Sequence, residues 1–357
     1  MRPKIAIIYN QPDTSYHSTS GEDKAELSII GNVRAVQRAL NGLGYAVIRV
    51  PISPPLENVR EKLKKMDTNI VFNLFEGFHG YSGAEAEVAF MMSELGLVNT
   101  GCPGSILSLA LDKAKTKAIM QSTGIATPEY QVLTPDMLTE FNLQYPCIVK
   151  PCGEDASHGL NAQSVVRNAD QLEKQVTEIS KHFGGKALVE EFIDGREFNV
   201  TAIGNGTPTI FPVTEIVYSL PAGKPKILTF DAKWYSGTEY FIGTKPVCPA
   251  KITPQLKSDI QDIAVKVFKR MNCFGYIRVD LRLDSNGKVK VLEINPNPDL
   301  TPGNGAARQA KALGMNFQQF IDYIVQLAFQ VHGYQTDYQT YGWQGQAGYN
   351  GALKEYA

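Results

Sequence analysis

The stretch VLEINPNPDLTPGNG, Val291 to Gly305, sets an acid and an amide, Glu293 and Asn295, two residues apart at the end of a short apolar run, before a loop broken by three prolines. Alternate residues of a strand share one face. Asp280 stands in YIRVDLRL, which is joined to KVKVLEIN by DSNG, a turn composition that predicts a hairpin. The hairpin then sets Asp280 opposite the other two. Two carboxylates and one amide oxygen are hard ligands, the kind that holds Mg²⁺ beside phosphates. Arg278, on the same face as Asp280, is a cation placed to neutralise a phosphoryl or carboxylate group. A solvated face of an antiparallel sheet is the competing reading of this spacing.

Lysines supply the other half of a nucleotide site. Lys150 ends the run PCIVKP and precedes CGEDASHGL, a small and polar loop able to fold its backbone N–H groups over phosphates. A solvated lysine fits the same spacing, and the phosphate-binding pattern GxxxxGK[ST] occurs nowhere in the chain. LVEEFIDGREFNV adds Glu190, Glu191 and, beyond a turn containing glycine, Glu197. As charge pattern alone, these acids describe an exposed strand end equally well.

Lys4 to Tyr9 is a short strand, and GEDKAELSIIGNVRAVQRALNGLG carries Leu27, Ile30, Val33, Val36 and Leu40 at helical spacing before Gly42 and Gly44. YAVIRV and NIVFNLFEG are strands, and AEAEVAFMMSELG is a helix followed by LVNTG. This order predicts an open, mainly parallel α/β domain over residues 1–100, with ligand loops at the carboxyl ends of its strands. From Gly101 the rhythm changes. SILSLALDKAKTKAIMQSTG reads as one helix, then come β-rich segments, the helix TPQLKSDIQDIAVKVFKRMN, the hairpin, and a final helix from about Gly305 to His332. We expect a small central lobe over 101–185, a C-terminal lobe with the metal site over 186–332, and a flexible Gln-, Gly- and Tyr-rich appendage over 333–357. No internal repeat is present.

With 43% hydrophobic and 20% charged residues, the 357-residue chain has an ordinary globular composition, long enough for two or three domains. Thirty-five basic against 36 acidic residues give no bulk field for nucleic acid, while leaving room for a local basic pocket. The five scattered cysteines form no CxxC pair, the usage of a reducing compartment. The apolar run at the start is too short for a signal peptide, and no stretch reaches the roughly eighteen apolar residues of a membrane span. The expected location is cytoplasmic.

Taken in order, ALDKAKTK, PCIVKP with GEDASHG, LVEEFIDGREFNV, DAKWYSGTEYF, IRVDLRLD and VLEINPNP resemble the ATP-grasp superfamily, and within it the D-alanine:D-alanine ligases. The resemblance runs from the first strand to about His332. It implies an N-terminal α/β domain followed by two α+β lobes that clasp ATP, and an ATP-dependent ligase that forms amide bonds through an acyl phosphate. By position, Lys113 and Lys150 are similar to the lysines that hold the ATP phosphates. Glu190, with the backbone of Phe192 and Ile193, is similar to the adenine hinge, and Glu197 to the ribose ligand. Ser157 resembles the flap over the γ-phosphate and Lys233 the lysine of the closing loop. Asp280, Glu293 and Asn295 match the ligands of two Mg²⁺ ions, for which Mn²⁺ could substitute. Arg278 matches the arginine at the tetrahedral centre, and Glu26, in AELS, the glutamate that receives the first substrate's amino group.

The departures concern the substrates. Trp234 follows Lys233 where the ligases have a tyrosine, and Asp299 stands where their loop has a glycine, with Asn304 and Gly305 near the place of the serine that binds the acceptor's carboxylate. FHGYSGAEAE matches the ligase His-Gly loop only loosely, so His79 is either its histidine or a surface residue. A carboxylate at Asp299 would repel a free amino acid's carboxylate, so the expected acceptor is a different amino acid or a peptide-like amine. Alternatively Asp299 points away and caps the helix beginning near Gly305. A D-alanine:D-alanine ligase proper and a non-catalytic ATP-binding module are the competing functions. The partners expected are small amino-acid-like molecules, not nucleic acid or membrane, and a homodimer is compatible with the sequence.

Overall fold

The structure, a computed structural model, describes residues 2–11, 22–78, 81–154, 157 and 159–333, with residues 22–28 as backbone alone. Glu26 as a side chain, His79 and the segment from 334 onward therefore lie outside the described residues.

The N-terminal part consists of β1 (Lys4–Asn10), α1 (Glu22–Gly42), β2 (Ala46–Ile52), α2 (Glu57–Lys64), β3 (Ile70–Leu74), α3 (Ala84–Glu94) and β4 (Val98–Asn99). Its strands form a parallel sheet in the order β2-β1-β3-β4. Parallel neighbours need a crossover, which the helices provide. Along β1, Ile5, Ile7 and Tyr9 enter one core with α1, while Ala6 and Ile8 enter a second core with α2 and α3. A strand buried on both faces is apolar without interruption, as IAIIY is.

Next come α4 (Gly104–Leu111), α5 (Lys113–Ser122), β5 (Tyr130–Leu133), β6 (Cys147–Pro151), β7 (Val165–Val166), α6 (Ala169–His182) and β8 (Ala187–Glu191). The single helix expected over SILSLALDKAKTKAIMQSTG is two, because Asp112 leaves helical geometry and its side chain caps α5 by accepting from Lys115 N–H. β5, β8, β6 and β7 form an antiparallel sheet backed by α6, whose Leu172, Val176 and Ile179 pack on Cys147, Val149 and Val189.

The remainder is β9 (Glu197–Asn205), β10 (Thr209–Ile210), β11 (Thr214–Tyr218), α7 (Phe230–Trp234), α8 (Glu239–Gly243), β12 (Thr244–Val247), α9 (Pro254–Arg270), β13 (Phe274–Leu283), β14 (Val289–Pro296), α10 (Gly305–Ala312) and α11 (Phe317–Val331). A six-stranded antiparallel sheet runs β12-β11-β9-β13-β14, with β10 paired to β9. The final helix expected from Gly305 to His332 is broken in two at Gly314, which takes φ +91°, and Asn316 restarts it with a capping box to Gln319. Phe320, Ile321, Ile324 and Val325 of α11 share a core with Val33, Val36 and Leu40 of α1 and with Ile5 and Ile7. Helix α11 thus closes one face of the N-terminal sheet.

Candidate functional site

A cleft open to solvent is lined from both antiparallel sheets. Eleven of the residues singled out in the sequence line it: Lys113, Lys150, Ser157, Glu190, Glu191, Phe192, Ile193, Glu197, Lys233, Asp280 and Glu293. Ile148, Leu160, Ile227, Leu228 and Leu292 give it apolar walls. Strand alternation explains the upper wall. Ile148 and Lys150 of β6 and Glu190 of β8 turn to the cleft, while Cys147, Val149 and Val189 turn to α6.

Glu190 is 1% exposed and meets two lysines, Lys150 Nζ at 2.7 Å and Lys117 Nζ at 3.0 Å. Burial pushes the Glu190 carboxyl up, but the two ammonium groups outweigh it and hold the carboxyl below its usual range. For Lys117, also 1% exposed, burial wins and the ammonium is pushed down. Lys117 further donates to Thr127 Oγ1 at 2.7 Å, which donates to the Val291 carbonyl at 2.8 Å. Lys117 stands outside the site expected from the sequence. Its signal was present in DKAKTK, where Lys113 and Lys117 stand one helical turn apart on the same face. Lys113 Nζ reaches the Glu154 carbonyl across the loop after β6.

In the hairpin, Asp280 pairs with Glu293 and Arg278 with Asn295. A register shift follows: Leu281 pairs with Val291, so Leu292 is an extra residue on β14, and both Leu292 and Glu293 line the cleft. A bulge of this kind re-aims side chains that strict alternation would separate. Arg278 grips Asp280 with two bonds, Nε to Oδ1 and Nη2 to Oδ2, each 2.7 Å. Asn295 Nδ2 donates to Asp280 Oδ2 at 3.1 Å and to Glu293 Oε1 at 3.4 Å. Burial raises the Glu293 carboxyl, yet Lys113, Lys150, Arg278 and Lys233 together bring it down to about 2. Asp280 is pushed up by burial, and the charges of Glu293 and Glu197 add to that against Arg278. Glu293 thus feels four cations, of which Arg278 and Lys233 also act on Asp280.

Glu197, expected near a ribose, is held by two groups outside the expected site. Arg282 donates to its Oε2 from Nε at 3.1 Å and Nη2 at 2.5 Å, and Tyr218 donates its hydroxyl to the same oxygen at 2.8 Å. Arg282 is two residues from Asp280 and four from Arg278, so the period of the strand already put all three on one face. Opposite, Ser157 adopts φ +65°, a left-handed backbone unusual for serine, and donates to the Leu228 carbonyl at 2.9 Å. That bond ties the loop after β6 to the segment leading into α7, which carries Lys233. Burial, with Arg278 adding, pushes the Lys233 ammonium down, against the pull of Glu293 and Asp280. Trp234 packs against Phe230 with ring centroids 6.4 Å apart and is not among the lining residues.

Asp299, Asn304 and Gly305 also stand outside that lining. Asp299 Oδ1 accepts from Thr301 N–H at 2.8 Å, from Thr301 Oγ1 at 2.6 Å and from Asn32 Nδ2 of α1 at 3.2 Å, while Oδ2 accepts from Asn304 Nδ2 at 3.1 Å. Asn304 is the residue before α10, and its side chain makes no capping bond. The carboxylate is turned into its own loop and onto α1.

A family model described as D-ala D-ala ligase C-terminus matches residues 119–326, which supply most of the lining of this cleft. The chain belongs to the D-alanine–D-alanine ligase family. It is thereby an ATP-grasp carbon–nitrogen ligase. It is 31% identical over 335 residues to the D-alanine–D-alanine ligase of Halalkalibacterium halodurans, covering 92% of this chain and 99% of that one. It is 33% identical over 261 residues to an uncharacterized protein of Sinorhizobium fredii, covering 73% of this chain and 75% of that one. In fold, it is similar to the D-alanine–D-alanine ligase of Bacillus anthracis complexed with ATP, with TM-score 0.72 and 18% identity over 93% of this chain and 99% of that one. It is also similar to the VanG D-Ala:D-Ser ligase of Enterococcus faecalis, with TM-score 0.73 and 22% identity over 92% of this chain and 100% of that one.

Proposed function

We propose that this ATP-grasp ligase joins two amino acids or amino-acid-like substrates, activating the carboxylate of one as an acyl phosphate. The observation that carries the reading is the in-register pair Asp280 and Glu293, ringed by Lys113, Lys150, Lys233 and Arg278. A carboxylate is a poor acyl donor. Its oxygen attacks the γ-phosphorus, the bond from that phosphorus to the β-phosphate oxygen breaks, and ADP departs. The second substrate's neutral amine then attacks the acyl carbon, inorganic phosphate leaves with the electron pair of the acyl–oxygen bond, and the nitrogen gives up a proton to give the amide.

Such transfer needs positioning and charge neutralisation above all. Lys113 and Lys150 hold the phosphates, and Lys233 closes on the γ-phosphoryl together with the loop of Ser157, which keeps water from the acyl phosphate. The base rests against Ile148, Phe192, Ile193 and Leu292; because the Glu190 carboxylate faces two lysines, recognition at this hinge falls to backbone groups. Arg278 steadies the tetrahedral centre, and Glu26 receives the first substrate's amino group. Asp280, Glu293 and Asn295 are hard oxygen donors that suit Mg²⁺ or Mn²⁺, and a rotated Asn295 amide would present Oδ1 in place of Nδ2. Two such ions, when bound, supply neutralisation of the transferred phosphoryl group. The organisation that goes with this reading is an N-terminal domain to residue 100, a central lobe to 185, and a C-terminal lobe to 332.

Synthesis of D-alanyl-D-alanine is the second reading, favoured by the H. halodurans relative that covers 92% of this chain. A phosphate-release screen over pairs of L- and D-amino acids and small amines, with products weighed by mass spectrometry, separates the readings. D-alanine as best donor and best acceptor would establish the second. A thermal shift with Mg-ATP but no phosphate from any pair would leave only a binding module. Glu293→Gln is expected to abolish turnover, and full activity in that variant would refute the metal assignment.

A further inference from the structure

Arg282 is 3% exposed, and its guanidinium joins three segments of the cleft. Besides its two bonds to Glu197 Oε2, Nη1 donates to the Ile193 carbonyl at 2.5 Å and Nη2 to the Lys226 carbonyl. The group lies between two rings, 5.5 Å from the centroid of Phe192 and 6.0 Å from that of Tyr218. A planar fork held by one carboxylate, two carbonyls and two aromatic faces has a single orientation.

Two consequences follow for a nucleotide in the cleft. The Ile193 carbonyl is already engaged as an acceptor, which fixes the hinge after β8. Glu197 has Oε2 taken by Arg282 and Tyr218, whereas Oε1 has no hydrogen-bond partner among the described residues, and the residue lines the cleft. We propose that Arg282 is a nucleotide-positioning residue that sets recognition of the sugar: by holding Oε2 and the hinge, it aims Oε1 of Glu197 at the ribose hydroxyls. This rests on the nucleotide reading of the cleft given above.

The geometry makes the effect specific to the sugar. A hydrogen bond from a ribose hydroxyl to an aimed carboxylate distinguishes ATP from 2′-deoxy-ATP by roughly 10-fold in affinity. Without the fork, Glu197 can turn and the distinction narrows, whatever else happens to binding.

Calorimetric titration of the full chain with Mg-ATP and with Mg-2′-deoxy-ATP, needing no amino acid, tests this. Wild type is expected to prefer ATP about 10-fold, and Arg282→Met to bring the two nucleotides within about 2-fold. Arg282→Lys, which keeps the charge but not the fork, should fall between and serves where the methionine variant does not fold. An ATP-to-deoxy-ATP ratio equal to wild type in a folded Arg282 variant overturns the proposal, even if both affinities drop together. A wild-type chain that binds both nucleotides equally overturns it too. Wild type binding neither nucleotide overturns the nucleotide reading itself, and the positioning role with it.

Discussion

Glu190 carries the sharpest energetic consequence among single residues. Removing one member of a buried charge cluster leaves the others uncompensated, at a cost of about 3–5 kcal/mol. Glu190→Gln strips Lys117 and Lys150 of their shared partner, so urea unfolding at neutral pH should show a loss of that size. Adding Lys117→Met should return part of it. Because the folded-state carboxyl is held below its ordinary value of 4.5, the stabilisation is complete above that pH and is lost as pH falls through the lower folded value. The gap between wild type and Glu190→Gln should therefore close on the acid side, and a gap that widened there would contradict the assignment. Residue types were legible at this scale, since PCIVKP and LVEEF named Lys150 and Glu190. Their pairing was not legible, because it depends on β6 lying beside β8 with Ile148 opposite Glu190.

Among the elements, the hairpin of β13 and β14 was the most legible, since a two-residue period and a DSNG turn leave few registers that keep Val279, Leu281 and Ile294 buried. The bulge at Leu292 was not, because an extra residue leaves the apolar alternation of a short strand almost unchanged. The loop leaving β14 shows the same limit. Asn297, at φ +53°, accepts from Cys102 N–H at 2.7 Å, which locks that loop against the turn that begins α4. Gly101 sits there at φ +88°, and a Cβ on it would lie 2.0 Å from Asn297 Oδ1. Gly101→Ala should cost at least about 2 kcal/mol, from the left-handed backbone and the collision together. Thermal unfolding with no loss would show that the loop relaxes freely.

The whole molecule is bound together through α11 and α1 as much as through the cleft. α11 follows the last strand of the C-terminal sheet, yet it packs on the N-terminal helix, and Asn32 of that helix holds Asp299 in the loop after β14. Ligand binding between the antiparallel sheets should therefore stabilise the chain as one unit. Mg-ATP at about 100 times its dissociation constant should add about 2.7 kcal/mol, read as a rise in the unfolding temperature. A transition that split in two, with only one part rising, would show that the N-terminal sheet unfolds independently.

The sequence by itself determined the chemical inventory and the local geometry that strand and helix periods impose: which face of β13 bears Arg278, Asp280 and Arg282, and that Glu293 and Asn295 share theirs. It also determined the class of fold, because apolar runs of strand length alternating with amphipathic helices admit few packings. Tertiary structure alone decided which charged and polar groups meet. Glu190 meets Lys117 and Lys150, Glu197 meets Arg282 and Tyr218, and Asp299 meets Asn32 from the far end of the chain. Those choices depend on distances between segments far apart in sequence, and a Coulomb interaction is set by separation and burial, neither of which a one-dimensional pattern contains.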